Sequence, residues 1–157
     1  MERHDIEFDI AYSYHLESMF STITGRIDRL ITLIIIVAGF SVFSSISGYA
    51  WFGILIAVLS VAQIVYQFAR VSGVSENQAG KYLSLSVDSS ELSDNELKAR
   101  FKELQKSDSK AWGVLTNAAY KRACIVLGRE DTTAKLTVVE SCAAWLAGDL
   151  PKESKSA

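Results

Sequence analysis

Residues 30–69 read LITLIIIVAGFSVFSSISGYAWFGILIAVLSVAQIVYQFA, forty consecutive positions without an Asp, Glu, Lys, Arg or His. All sixteen basic and eighteen acidic residues of the 157-residue chain lie outside this block. As one helix it would be about 60 Å long, twice the ~30 Å hydrocarbon core of a bilayer, so a single straight crossing is excluded. The run must fold back, and Ser44-Ser45-Ile46-Ser47-Gly48 is where turn-forming residues cluster. Two spans are expected, at about 30–46 and 49–69. Tyr49 and Trp51 beside the turn and Tyr66 near the opposite end suit the interfaces, where amphipathic rings settle. A buried hairpin in a soluble helical protein is the competing reading. It is disfavoured because such a hairpin normally carries charge on its outer face.

Working outward, Arg26 and Arg29 precede the block and Arg70 and Lys81 follow it, while the turn is uncharged. This bias places both termini in the cytoplasm. The upstream segment carries six acids against three arginines, so a cleavable signal peptide is not expected. Within the second span, Gly53, Ala57, Ser60, Gln63 and Gln67 share one arc, with Trp51, Leu55, Val58, Ala62 and Val65 opposite. In the first, Ala38, Ser41, Ser45 and Gly48 do the same. Two small-and-polar stripes on oily helices mean two surfaces that avoid lipid. The simpler explanation is helix packing through Gly53-x-x-x-Ala57 and side-chain hydrogen bonds. The sharper one is an oligomer in which Ser60, Gln63 and Gln67 line a water-filled centre. Both call for partners, so self-association in the bilayer is expected.

The flanks read as helical. Leu16, Phe20, Ile23, Ile27 and Leu30 recur at three and four, an amphipathic helix running into the first span with Gly25 as its weak point; Phe8, Tyr12 and Tyr14 add aromatic surface. With net charge −3 it is expected to pack on the helices that follow the membrane rather than on anionic lipid. Beyond the block, Ser72-Gly73 is expected to interrupt the pattern, and Ser75-Glu76-Asn77-Gln78 to cap a helix reaching about Val87. A second capping box, Ser93–Glu96, carries Leu92 and Leu97 as a staple and opens a helix burying Leu97, Phe101 and Leu104. Trp112, Leu115, Ala119, Ala123 and Val126 predict a helix stopped by Gly128, and Leu136, Val139, Ala143 and Leu146 one over about 133–147. No strand pattern or repeat is present. The expected fold is an all-α membrane protein. Its parts are an N-terminal cytoplasmic amphipathic helix over 1–29, a two-span hairpin over 30–69, a cytoplasmic helical region over 70–150 and a mobile tail over 151–157.

A composition of 49% hydrophobic and 22% charged residues with one proline excludes collagen and low-complexity disorder. Residues 70–157 hold thirteen basic and twelve acidic groups, so no nucleic-acid partner is expected. Lys98, Arg100, Lys102, Lys106 and Lys110, with Lys121 and Arg122, form a locally basic stretch. It reads as a solvated face near an anionic leaflet, or else as contact for an anionic ligand or lipid. Chemistry is sparse. His4 and His15 fit no metal or nuclease spacing, and Cys124 and Cys142 have neither a second pair nor a base. They read as reduced packing residues. No nucleotide loop or nucleophile elbow occurs. Neither an enzyme nor a cofactor nor a metal is expected.

The order of these parts resembles the SLATT family of bacterial two-transmembrane effectors over roughly residues 10–127. The likeness rests on Tyr14 through Arg29 entering the first span, Gln63-Ile-Val-Tyr-Gln-Phe-Ala-Arg70 leaving the second, Ala79-Gly-Lys-Tyr-Leu-Ser-Leu85, and Trp112-Gly-Val-Leu-Thr-Asn-Ala-Ala-Tyr-Lys-Arg-Ala123. The helix beyond Thr133 has no counterpart in it. The resemblance implies an oligomeric inner-membrane effector in anti-phage or cell-suicide defence, opening a pore when a nucleotide-signalling or sensor partner encoded nearby detects infection. Two other readings fit the same residues: a membrane-anchored scaffold for a cytoplasmic partner, and a phage holin, which the long structured tail disfavours.

Overall fold

One helix, α1, runs unbroken from Arg3 to Ser41, and every other element is arranged around it. The computed structural model describes residues 3–41 and 49–151; the expected turn at Ser44–Gly48 and the segment 152–157 lie outside the described residues. The order continues with α2 (Tyr49–Tyr66), α3 (Phe68–Asp88), α4 (Asp94–Gln105), α5 (Thr116–Leu127) and α6 (Val138–Leu146). Short 3-10 turns over 89–91 and 113–115 precede α4 and α5. Among the described residues there are no strands, and the all-helical expectation holds.

The 39 residues of α1 span about 58 Å, and two halves of that length do different work. From Arg3 to Ile27 α1 is buried on several sides. Ile6 and Ile10 pack with Tyr82 and Leu85 of α3 and with Leu97 and Phe101 of α4. Phe8 turns to Ala123 and Cys124 of α5, with Tyr120 edge-on at 5.1 Å. Met19, Phe20 and Ile23 meet Leu115, Ala118 and Ala119, together with Ala143 and Ala144 of α6 and Ala147 just after it. The expected single stripe is therefore part of a wider apolar surface, and α1 does pack on the later helices. Beyond Ile27, α1 loses that company: Leu30, Leu33, Ile36, Val37 and Phe40 are exposed.

α2 and α3 run back along α1 as one nearly continuous rod. The interruption falls at Gln67, not at Ser72-Gly73 as expected. Gln67 has φ 48° and ψ 45°, while the bonds Gln67 N–Gln63 O and Val71 N–Gln67 O persist at 2.9 and 3.0 Å. Ser72 stays helical because its hydroxyl donates to Ser21 O of α1 at 2.9 Å, tertiary contact overriding weak propensity. Gly25, expected to be weak, gives α3 a close approach to α1: a Cβ there would lie 2.8 Å from Ser72 Oγ. Ser75 caps nothing; it is buried mid-helix, donating to Ser109 Oγ at 2.7 Å.

The Ser93 start is as expected: Glu96 Oε2 accepts from Ser93 N and Oγ at 3.1 and 2.7 Å. Leu92 packs beside Leu97. Gly128, at φ 63°, ends α5 in the left-handed conformation that glycine adopts freely. The last helix begins later than expected, at Val138, because a capping box of Thr137 and Glu140 sets its start. Its buried face is also different. Ala143, Ala144 and Ala147 point inward, since only small side chains permit this approach, and Val139 and Leu146 are left outside.

Candidate functional site in the apolar hairpin and its foot

α2 is apolar on every side and covered on few. Among the described residues one helix, over Ala50–Glu91, is long and apolar enough to cross a membrane by length and composition; its most apolar 18 residues have mean hydropathy 2.0 and none of them is buried. Trp51, Ile54, Val58, Val61, Ile64 and Val65 are all exposed. At about 25 cal/mol per Å² of apolar surface left in water, such a helix is costly unless something oily covers it.

The face of α2 toward α1 carries Phe52, Ile56, Leu59, Ser60 and Gln63, which are half-buried. Across from it, Ile31, Ile34, Ile35 and Ala38 form the less exposed face of α1. Gln63 Nε2 donates to Thr32 Oγ1 at 2.8 Å and to Asp28 Oδ1 at 3.3 Å. Thr32 in turn donates to Asp28 O at 2.9 Å. The structure thus divides the stripe read from sequence. Ser60 and Gln63 face α1 of the same chain. Gly53 and Ala57 lie on the open side, and a Cβ on Gly53 would touch nothing. Ser41 is the last residue of α1, and Ser45 lies outside the described residues.

Gln67 sits at the foot, where its left-handed backbone separates α2 from α3. Its Oε1 accepts from Arg70 Nη1 at 3.0 Å, and Tyr66 and Phe68 stack on either side with centroids 5.4 Å apart. Below it, a groove of about 340 Å³ opens between α1 and α3, lined by Ser18, Ser21, Thr22, Arg26, Arg29, Ser72 and Glu76.

Deeper in the bundle, a polar network joins α1, α3 and the segment after α4. Glu17 is 3% exposed; its Oε1 accepts from Ser109 N at 2.7 Å, while Oε2 is buried with no partner. Burial pushes its carboxyl above the usual range, Ser109 and Ser75 pull it back in part, and Asp108 adds to the rise. Asp108 Oδ1 accepts from Tyr82 OH at 2.5 Å and Gln78 Nε2 at 2.9 Å. Burial and that carboxylate hold the Tyr82 hydroxyl protonated far above its ordinary range.

The basic residues are not one patch. Lys98, Arg100, Lys102 and Lys106 ride on α4, with Lys106 held by Glu103 at 2.6 Å, and Lys110 follows in the next loop. Lys121 and Arg122 belong to α5, and their charges are spent inside the chain. Lys121 is buried and meets Asp131 at 2.5 Å; Arg122 Nε meets Asp149 at 2.6 Å. Sequence reading used Arg26 only as a charge flanking the first span and counted Asp28 and Glu17 only among the acids. The signal was their position on α1, three to four residues from its buried positions.

Cys124 is buried, its thiol pushed up by desolvation and Asp131, and Cys142 is exposed. Among the described residues no group of three His, Cys, Asp or Glu could hold a metal ion. The chain matches no protein-family model, no curated protein and no solved structure.

Proposed function

We propose that this chain is a two-span protein of the bacterial inner membrane, with both termini in the cytoplasm, that self-associates and forms or gates a pore in an anti-phage or cell-suicide response. The carrying observation is α2, a helix of spanning length whose apolar surface away from α1 is left uncovered among the described residues. Span one is the upper part of α1, which passes from the bundle into the charge-free block without a joint. That continuity supports a mechanical link between the α3–α6 bundle and the spans. Gly53 and Ala57, open on α2, suit close approach of a second copy. Gln63 is engaged by Asp28 and Thr32, so pore opening in this reading requires α2 to rotate or slide until Gln63 faces a shared centre. The arrangement described is then the closed one. A sensor or nucleotide-signalling partner would act through the bundle around α1.

The same engagement of Gln63 favours a second reading, a membrane anchor that holds the helical bundle beside a partner, since an engaged glutamine needs no pore. Inducing the protein in bacteria while recording membrane potential separates them. Collapse with a second gene product supports the gated effector, immediate collapse an unregulated pore, and delayed collapse at a set time a holin. An unchanged potential in every condition leaves the anchor.

A further inference from the structure

We propose that α6 is an interfacial helix whose outer face rests in the bilayer surface beside the spans; this goes beyond the pore reading and rests only on its membrane component. α6 carries apolar side chains both inward and outward, with Glu140 and Ser141 between the two faces. Ala143, Ala144 and Ala147 face the core, whereas Val138 is 81% and Trp145 67% exposed, with Val139, Leu146 and Leu150 also uncovered. This outer face carries no charge. Glu140 is turned to Asn117 and to its own cap, and Asp149 to Arg122. A helix oily on all sides is not a solvated one.

Its position says what covers it. Arg26 Nη1 donates to Leu146 O at 2.7 Å, and the guanidinium fills the space beside Gly148, where a Cβ would meet Nη2 at 3.0 Å. Arg26 lies one turn, about 6 Å of helix, before Leu30, where the charge-free block begins. The C-terminus of α6 is thus clamped to α1 at the depth of the lipid headgroups, where tryptophan with valine and leucine partitions well. A second copy is a poorer occupant: four side chains on the nine residues of α6, with Leu150 just beyond, fall far short of the 20–30 residues per side of a stable interface.

The test uses the full chain in phosphatidylcholine–phosphatidylglycerol vesicles made with acyl chains brominated near the headgroup. Of the three tryptophans, Trp145 is kept alone by Trp51→Phe and Trp112→Phe, and Trp51 alone in a companion protein. Bromolipid should quench Trp145 and leave its emission blue-shifted. If Trp51 is quenched and Trp145 is not, α6 is not interfacial, whether water or a second copy covers it. If neither is quenched, the membrane reading fails with it. Should the tryptophan variants not fold, a nitroxide on Cys142, exposed on the same face of the unaltered chain, gives the answer. Greater collision with oxygen than with an aqueous nickel chelate supports the inference, and the reverse overturns it.

Discussion

Gln63 of α2 and Thr32 of α1 are joined by a 2.8 Å hydrogen bond, at the level where α1 leaves its bundle and with Asp28 as a second acceptor. The bond holds the two apolar helices together at their foot. We expect Gln63→Leu to weaken this junction by about 1 kcal/mol, the scale of a side-chain hydrogen bond between membrane helices. Gln67→Leu should cost less at the junction, because Gln67 holds only the exposed Arg70 three residues away. Thermal unfolding in detergent micelles, followed by far-UV circular dichroism, checks the ordering. Equal losses for the two variants would contradict it.

The backbone at Gln67 makes a separate demand. Its φ of 48° lies in the left-handed region, which costs a non-glycine residue roughly 1–2 kcal/mol. Glycine adopts it without that strain, so Gln67→Gly should unfold at a higher temperature than the parent, while Gln67→Val, β-branched, should unfold at a lower one. If valine is tolerated as well as glycine, the joint between α2 and α3 is not the fixed bend described.

How much of this could be read beforehand depended on whether the deciding interaction was local. The Ser93–Glu96 box, the Gly128 stop and the buried Leu97–Phe101 face are set by residues within four positions of one another, and all were legible. The break at Gln67 was not. Ser72-Gly73 has the weaker helix propensity, but Ser72 is held by Ser21, fifty-one residues away, and the bend falls at Gln67 instead. The candidate site divided in the same way. Spacing put Gln63 on a face with Gly53 and Ala57, yet its partners Asp28 and Thr32 came from another helix. The basic stretch was counted correctly along the chain. Lys121 and Arg122 left it only because Asp131 and Asp149 fold back onto them.

Lys121 offers a test of that withdrawal. Its side chain is 7% exposed, and Asp131 Oδ2 at 2.5 Å is its counter-charge. The ammonium, with help from Thr133, holds the Asp131 carboxyl down to about 2. A depressed carboxyl stabilises the fold fully above its unfolded value near 3.8 and loses that contribution as pH falls toward 2. Asp131→Asn should therefore lower the unfolding temperature at pH 7 by leaving a buried charge unpaired, and should flatten the acid limb below pH ~4. Lys121→Met, which removes the charge and keeps most of the volume, should be better tolerated than Asp131→Asn.

Gly25 tests the seam between α1 and α3. A methyl group there would stand 2.8 Å from Ser72 Oγ, a hydroxyl fixed on Ser21 O. Gly25→Ala gains helix propensity, about 1 kcal/mol, and loses that hydrogen bond as Ser72 turns away, so the two terms roughly cancel. Gly25→Val cannot be relieved by one rotamer and should force the helices apart, at about 1–3 kcal/mol. Pairing each change with Ser72→Ala checks the cause. The double variant Gly25→Ala, Ser72→Ala should be more stable than Ser72→Ala alone.

Glu17 supplies the pH dependence of opposite sign. Burial raises its carboxyl in the folded protein, so between the ordinary glutamate value of 4.5 and that raised value the native state holds more protons than the unfolded chain. Stability must then fall as pH rises through this window, the reverse of the Asp131 effect. Glu17→Gln removes the ionisation and keeps an oxygen that accepts from Ser109 N. The variant should therefore lose less stability than the parent between pH ~4.5 and neutrality and unfold at an equal or higher temperature at pH 7. Unfolding temperatures of both proteins in detergent across that range settle the matter. A parent whose stability holds level while the variant falls would mean that Glu17 is stabilised as an anion despite its buried, unpartnered Oε2.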